Sequence, residues 1–214
     1  MSVLNVTMRR HEEQTMSEHA YMSALGFFTS LGLGLTALVA WYTISEHINI
    51  GLGFILGMIL PFVGIMVVNA TRKWQVAIVG YLLVAVPFGV LMGATLVRFR
   101  LTDIVTALAI TAVVSTGMWI VGSIWPPIVR DLSGYIFGAL IALIVAMVAS
   151  FFLPGMMSWI AWLGAFLFTG LIVYDINKAM QSQRNTYNAV SNSLNMYLDI
   201  INLFDFVLDI VGRR

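Results

Sequence analysis

The chain reads as an all-α membrane protein, a bundle of seven transmembrane helices in one compact domain. Three observations predict this. Of 214 residues, 60% are hydrophobic and only 10% charged, against roughly 25% charged in soluble domains. Apolar runs close to the ~20 residues that cross a bilayer recur seven times. The breaks between them are short and fall on residues that end helices.

The seven runs cover approximately 21–44, 48–69, 75–97, 104–125, 133–153, 157–178 and 190–211. They are separated in turn by Ser45-Glu46-His47, Thr71-Arg72-Lys73, Arg98 to Asp103, Pro126-Pro127 through Arg130-Asp131, Pro154-Gly155, and Gln181 to Asn188. Pro154-Gly155 is the slightest of these breaks; as a mere kink it would lower the count to six. Pro61 and Pro87 stand inside the second and third runs, where a membrane helix kinks and a neighbour satisfies the freed carbonyl. Gly53-xxx-Gly57 and Gly134-xxx-Gly138 have the small-xxx-small spacing of close helix packing within one chain. Residues 1–20, with Arg9, Arg10, Glu12, Glu13 and Glu18, read as a retained, solvated lead-in, because the apolar run that follows is too long for a signal peptide. His11 and His19 are eight apart, which fits no standard zinc pattern. Trp41, Tyr42, Trp74, Trp125, Trp159 and Trp162 stand near run ends, as an interfacial belt does.

Composition excludes several functions. Net charge is +1 without a Lys/Arg run, so nothing points to nucleic acid. There is no cysteine, hence no disulfide, thiol catalysis or cysteine metal site. No P-loop, GxGxxG, GxSxG or HExxH motif is present, and no lysine inside the last run serves a retinal Schiff base.

Charge sits where hydrocarbon penalises it most. The last run, Asn192 to Arg214, and the end of the run before it, Gly170 to Lys178, hold Asp175, Asp199, Asp205 and Asp209, four of the chain's ten acids. With Asp199 at 0° and about 100° per residue, Asn192, Asn195, Asn202, Asp205 and Asp209 all fall within an arc of about 140°. Tyr197, Ile201, Phe204 and Val211 take the opposite side, which reads as a lipid-compatible face. The polar stripe must look into protein or water.

The segments GLIVYDINK and SLNMYLDIINLF resemble the C-terminal signature of the Bax inhibitor (transmembrane Bax inhibitor motif) family, in its bacterial form. AYMSALGFFTSLGLGLTALVAWY in the first run and RDLSGYIFGALIALI around the fifth extend the likeness along the chain. The resemblance implies a seventh helix ringed by the others and a pH-sensitive calcium leak. It implies that Asp175 and Asp199 face each other, as a pH sensor and as candidate calcium contacts, with Arg72 as a basic latch on the pair. The chain departs from the family pattern in two ways: the second run contains no acid, and Asp205 and Asp209 stand where apolar or basic residues are the rule.

Each site residue also has a plainer reading. Asp175 and Asp199 are either a docking pair between two helices or carboxylates sharing a proton, since both cannot ionise cheaply at short range in low dielectric. Asp209 has Arg213 at i+4 as an interfacial ion-pair partner. Asp205 has no basic neighbour at i±3 or i±4, and with Asn195 and Asn202 it is a candidate cation-attracting station. Arg72 beside Lys73 is also an ordinary membrane-surface anchor.

The function expected is a pH-gated calcium leak in an inner membrane. It needs no cofactor or enzyme chemistry, with the bilayer, calcium and protons as partners. Carboxylates and amide carbonyls suit hard cations, and zinc or copper would call for Cys or buried His. The alternatives are a non-conducting regulator of a membrane protease or a stress or cell-death pathway, and a proton-coupled carrier.

Seven Lys/Arg lie on the side of the N-terminus and of loops two-three, four-five and six-seven, and four on the other. This bias puts the N-terminus in the cytoplasm and the C-terminus in the periplasm. Reporter fusions after Arg184 and Arg214 are therefore expected in opposite compartments, the first inside. Both tags reporting the same side would remove either the Pro154-Gly155 break or the seventh span.

Overall fold

A computed structural model describes residues 16–46, 50–128, 132–153 and 155–212, with the backbone only for 50–56. Seven helices follow one another: α1 (Glu18–Ser45), α2 (Ile50–Ala70), α3 (Trp74–Leu96), α4 (Leu101–Ile124), α5 (Ser133–Ser150), α6 (Met156–Gln181) and α7 (Thr186–Gly212). No strand occurs among the described residues. Five of the helices, α1, α3, α4, α5 and α6, are long and apolar enough to cross a membrane. In α7 the 27 residues suffice in length, but its acids and amides lower its hydropathy.

Most boundaries lie within a few residues of the apolar runs, and the departures have local causes. Ser17 caps α1, its hydroxyl accepting from the Ala20 N–H at 3.2 Å, so that helix starts at Glu18. Residues 1–15, including His11, and Arg213 at the other terminus lie outside the described residues. Between α5 and α6, Gly155 takes φ 90°, a left-handed conformation that suits glycine. The chain breaks there between two separate helices, and the described residues form seven helices. The chain reaches α7 earlier than its apolar run suggests, because Asn185 accepts from the Asn188 N–H at 2.8 Å and starts the helix at polar residues.

The core is built on α7, which packs against α1, α3, α4 and α6. One correction follows: Tyr197, Ile201 and Phe204 are buried and do not face lipid. Tyr197 meets the Thr36 hydroxyl at 2.7 Å and lies 5.5 Å from the Tyr81 ring. Phe206 stacks on Phe168 of α6 at 5.8 Å. Tyr187 donates to the Val68 carbonyl of α2 at 3.1 Å. The apolar side of α7 thus belongs to the bundle interior.

Small residues set the spacing of the outer helices, though partly at other positions than expected. Gly57 faces Leu91, and any side chain there would strike it. The tightest approach of α2 to α3 is Gly64 against Gly80, where each backbone fills the space a Cβ would need. Gly134 and Gly138 meet nothing within 4 Å, so that pair does not pack inside the chain. Helix α5 has no buried residue and rests mainly on α6.

One buried amide holds the end of α4 to α6. Asn177 Nδ2 donates to the carbonyls of Gly122 at 3.2 Å, Trp125 at 3.1 Å and Pro126 at 3.3 Å, and its Oδ1 accepts from the Ile128 N–H at 2.9 Å. Its truncation removes the shared partner of several backbone groups at the end of α4. Asn177→Ala is expected to cost about 1–3 kcal/mol and lower Tm by roughly 2–10 °C in detergent. An unchanged Tm would show that these bonds contribute nothing net.

Candidate functional site: an acidic cavity along the central helix

The periodicity of α7 directs its polar stripe into a single space. Asn195, Asp199, Asn202, Asp205 and Asp209 line a cavity of about 730 Å³, and Asp175 of α6 lines it too. Its other walls come from α2 (Phe62, Ile65), from the end of α3 (Thr95, Arg98, Phe99) and from α5 (Ile136, Leu140, Leu143, Ile144, Met147). All these neighbours except Thr95 and Arg98 are apolar, so oxygen is concentrated on α7.

The Asp175 and Asp199 carboxyls line the same cavity and are close enough to act on each other. Asp199 is buried, and its Oδ2 has no partner. The pairing is geometric: α6 descends to Gln181, a four-residue link turns the chain, and α7 returns antiparallel. Six residues further along α7, about 9 Å by helical rise, Asp205 is exposed and lines the same cavity. Asn202 lies between them and donates to the Leu198 carbonyl at 2.7 Å, leaving its own carbonyl oxygen free to face the cavity.

Other residues of the stripe and its surroundings have different uses. Asn192 donates to Tyr21 at 2.8 Å and to Ser182 at 3.2 Å, tying α7 to α1 and to the α6–α7 link. Arg72 is exposed; its guanidinium stands 5.4 Å from the Tyr187 ring centroid, outside the cavity lining. The only ion pair among the described residues joins Arg184 to Glu18 at 2.7 Å. The cation acting on Asp175 is Lys178, which also stands 5.5 Å from the Tyr174 ring centroid. Asp209 lies in the cavity lining, while its expected partner Arg213 is outside the described residues.

Two cations near the acids escaped the sequence reading. Lys178 was legible as the i+3 neighbour of Asp175 in GLIVYDINK. Arg98 carried no such signal, because its place beside α7 is set by the packing of the α3–α4 turn.

Known proteins resemble the chain over nearly its whole length. Residues 19–214 match the family described as "Inhibitor of apoptosis-promoting Bax1". The inner membrane protein YbhL of Escherichia coli (strain K12) is 29% identical over 214 residues, covering 91% of this chain and 92% of the relative. An uncharacterized protein, YrjE, of Lactococcus lactis is 29% identical over 215 residues, covering 91% of each. An uncharacterized protein of Borreliella burgdorferi is 24% identical over 229 residues, covering 98% of each. With an acid-bearing α7 packed among α1, α3, α4 and α6 and a family match from residue 19 to residue 214, the chain belongs to the Bax inhibitor family and is a multi-pass membrane protein.

Proposed function

We propose that this protein is a pH-sensitive, calcium-permeable leak of a bacterial inner membrane. The observation that carries the reading is the single cavity that collects the oxygen face of α7 together with Asp175. The inner-membrane placement is supported by the name of the Escherichia coli relative. The cytoplasmic N-terminus rests on the Lys/Arg bias of the loops.

Carboxylate and amide oxygens favour hard cations such as calcium. A calcium ion held tightly takes six to eight oxygens, and no three His, Cys, Asp or Glu side chains gather at one point among the described residues. The acids are instead spread along α7 as successive stations, each attractive enough to admit an ion and weak enough to release it. Calcium is therefore the cargo, and Asp175 and Asp199 are its contacts at one end of the path.

The same pair is the pH sensor. Two carboxylates in contact hold a proton between them, and its loss places a second negative charge between α6 and α7. That charge changes both the attraction for a cation and the repulsion between the helices, so proton binding biases a two-state gate. Arg72 acts on this end as a latch in the leak reading, or as an anchor on Tyr187 in the plainer one.

The test is calcium flux into proteoliposomes holding this protein alone, over about pH 5 to pH 8, the interval in which biological pH switches act. Asp175→Asn and Asp199→Asn keep the shape and remove one titrating partner, and each is expected to abolish most of the pH dependence. If both variants keep the wild-type profile, the pair is structural. If the wild type shows no flux, the protein is a non-conducting regulator and not a channel. In the same vesicles Arg72→Ala is expected to raise flux; an unchanged rate with normal expression assigns Arg72 to anchoring.

A further inference from the structure

The acidic cavity has a second end, opposite the Asp175–Asp199 pair. There α7 finishes at Gly212 and the α3–α4 turn crosses it. The turn is fixed by backbone bonds from Arg98 N to the Thr95 carbonyl at 3.1 Å and from Phe99 N to the Leu96 carbonyl at 3.0 Å. The Phe99 ring occupies the space that any side chain at position 212 would need, so the turn is seated on α7 and requires glycine beneath it. Phe99 also packs into the main apolar core. This seat places Arg98 among the residues lining the cavity, alongside Asp205 and Asp209.

We propose that Arg98 is a tethered cation that guards this end of the acidic cavity, setting the barrier a permeating cation must overcome. The proposal rests on the reading of the cavity as a cation path. Arginine keeps its charge at every physiological pH, so the barrier does not depend on the proton-sharing pair at the other end. A divalent ion approaching Asp205 and Asp209 through this end meets a like charge in the same cavity wall. Lysine would keep the charge, whereas glutamine removes it and leaves the stem in place.

The neighbouring Arg100 provides a matched control. It stands at the N-cap position of α4 in the same turn, without a side-chain capping bond, and lies outside the cavity lining. Arg98→Gln and Arg100→Gln change net charge equally, and only the first changes charge inside the cavity. At an effective dielectric near 20, one unit charge at about 10 Å alters a cation's local concentration roughly tenfold or more.

Two readouts test the assignment. Calcium flux in proteoliposomes is expected to rise roughly tenfold in Arg98→Gln, while Arg98→Lys and Arg100→Gln stay near wild type. The calcium concentration that half-saturates thermal stabilisation of the detergent-purified protein is expected to fall by a similar factor in Arg98→Gln alone. If the wild type conducts and Arg98→Gln matches it in both measurements, Arg98 is an interfacial anchor and the assignment fails. If the two glutamine variants raise flux equally, general surface charge is responsible and the assignment also fails. Should the wild type not conduct while the calcium shift persists in Arg98→Gln alone, the leak reading falls and the placement of Arg98 stands. Phe99→Ala, which loosens the seat without changing charge, is expected to reproduce part of the rise.

Discussion

Three carboxylates on one membrane helix cannot face hydrocarbon, and most of the architecture follows from that constraint. A charge at the bilayer centre costs several kcal/mol at least. Helix α7 therefore has to be enclosed, and α1, α3, α4 and α6 enclose it. Much of its apolar side is taken up by that packing, as where Tyr197 meets Thr36 and Tyr81. Its polar side is left facing a space that the surrounding helices do not fill. The outer helices can then be apolar all round, and α5, with no buried residue, is their extreme.

How much of this was legible in the residues depended on whether the signal was local. Seven spans follow from run length alone, and even the slight Pro154-Gly155 break had its cause in a glycine at φ 90°. The stripe of Asn195, Asp199, Asn202, Asp205 and Asp209 is a matter of helical angle, so its common direction was visible before any fold was known. The destination of the opposite face was not. Tyr197, Ile201 and Phe204 look alike whether they meet lipid or protein, because both surroundings are apolar. Gly134 and Gly138 misled for a related reason: their spacing permits close packing without requiring a partner. Asn177 and Arg98 owe their roles to contacts about fifty residues away or across the bundle, which no window of sequence contains.

The cavity has unequal ends, and this asymmetry organises the functional account. At one end two neighbouring carboxylates form a group whose charge can change with pH, with Lys178 nearby and Arg72 held over Tyr187. At the other, Arg98 is a fixed charge lining the same cavity as Asp205 and Asp209. In the proposed leak, one end would respond to protons and the other would set a constant electrostatic threshold. The link between them is the single rigid rod of α7, along which the oxygen groups recur at roughly one turn's spacing.

Whether the polar face of α7 looks into water inside the bundle is directly measurable, because the chain has no cysteine. Single cysteines at Asn195, Asn202, Ile201 and Phe204 would be exposed in vesicles to a small, charged, membrane-impermeant thiol reagent. Wet positions label quickly and dry ones do not, because the thiolate that reacts forms only where water reaches it. The account predicts modification at 195 and 202, protection at 201 and 204, and slower labelling at 195 and 202 when calcium is added. Uniform protection, or labelling at 201 and 204 equal to that at 195 and 202, would contradict it.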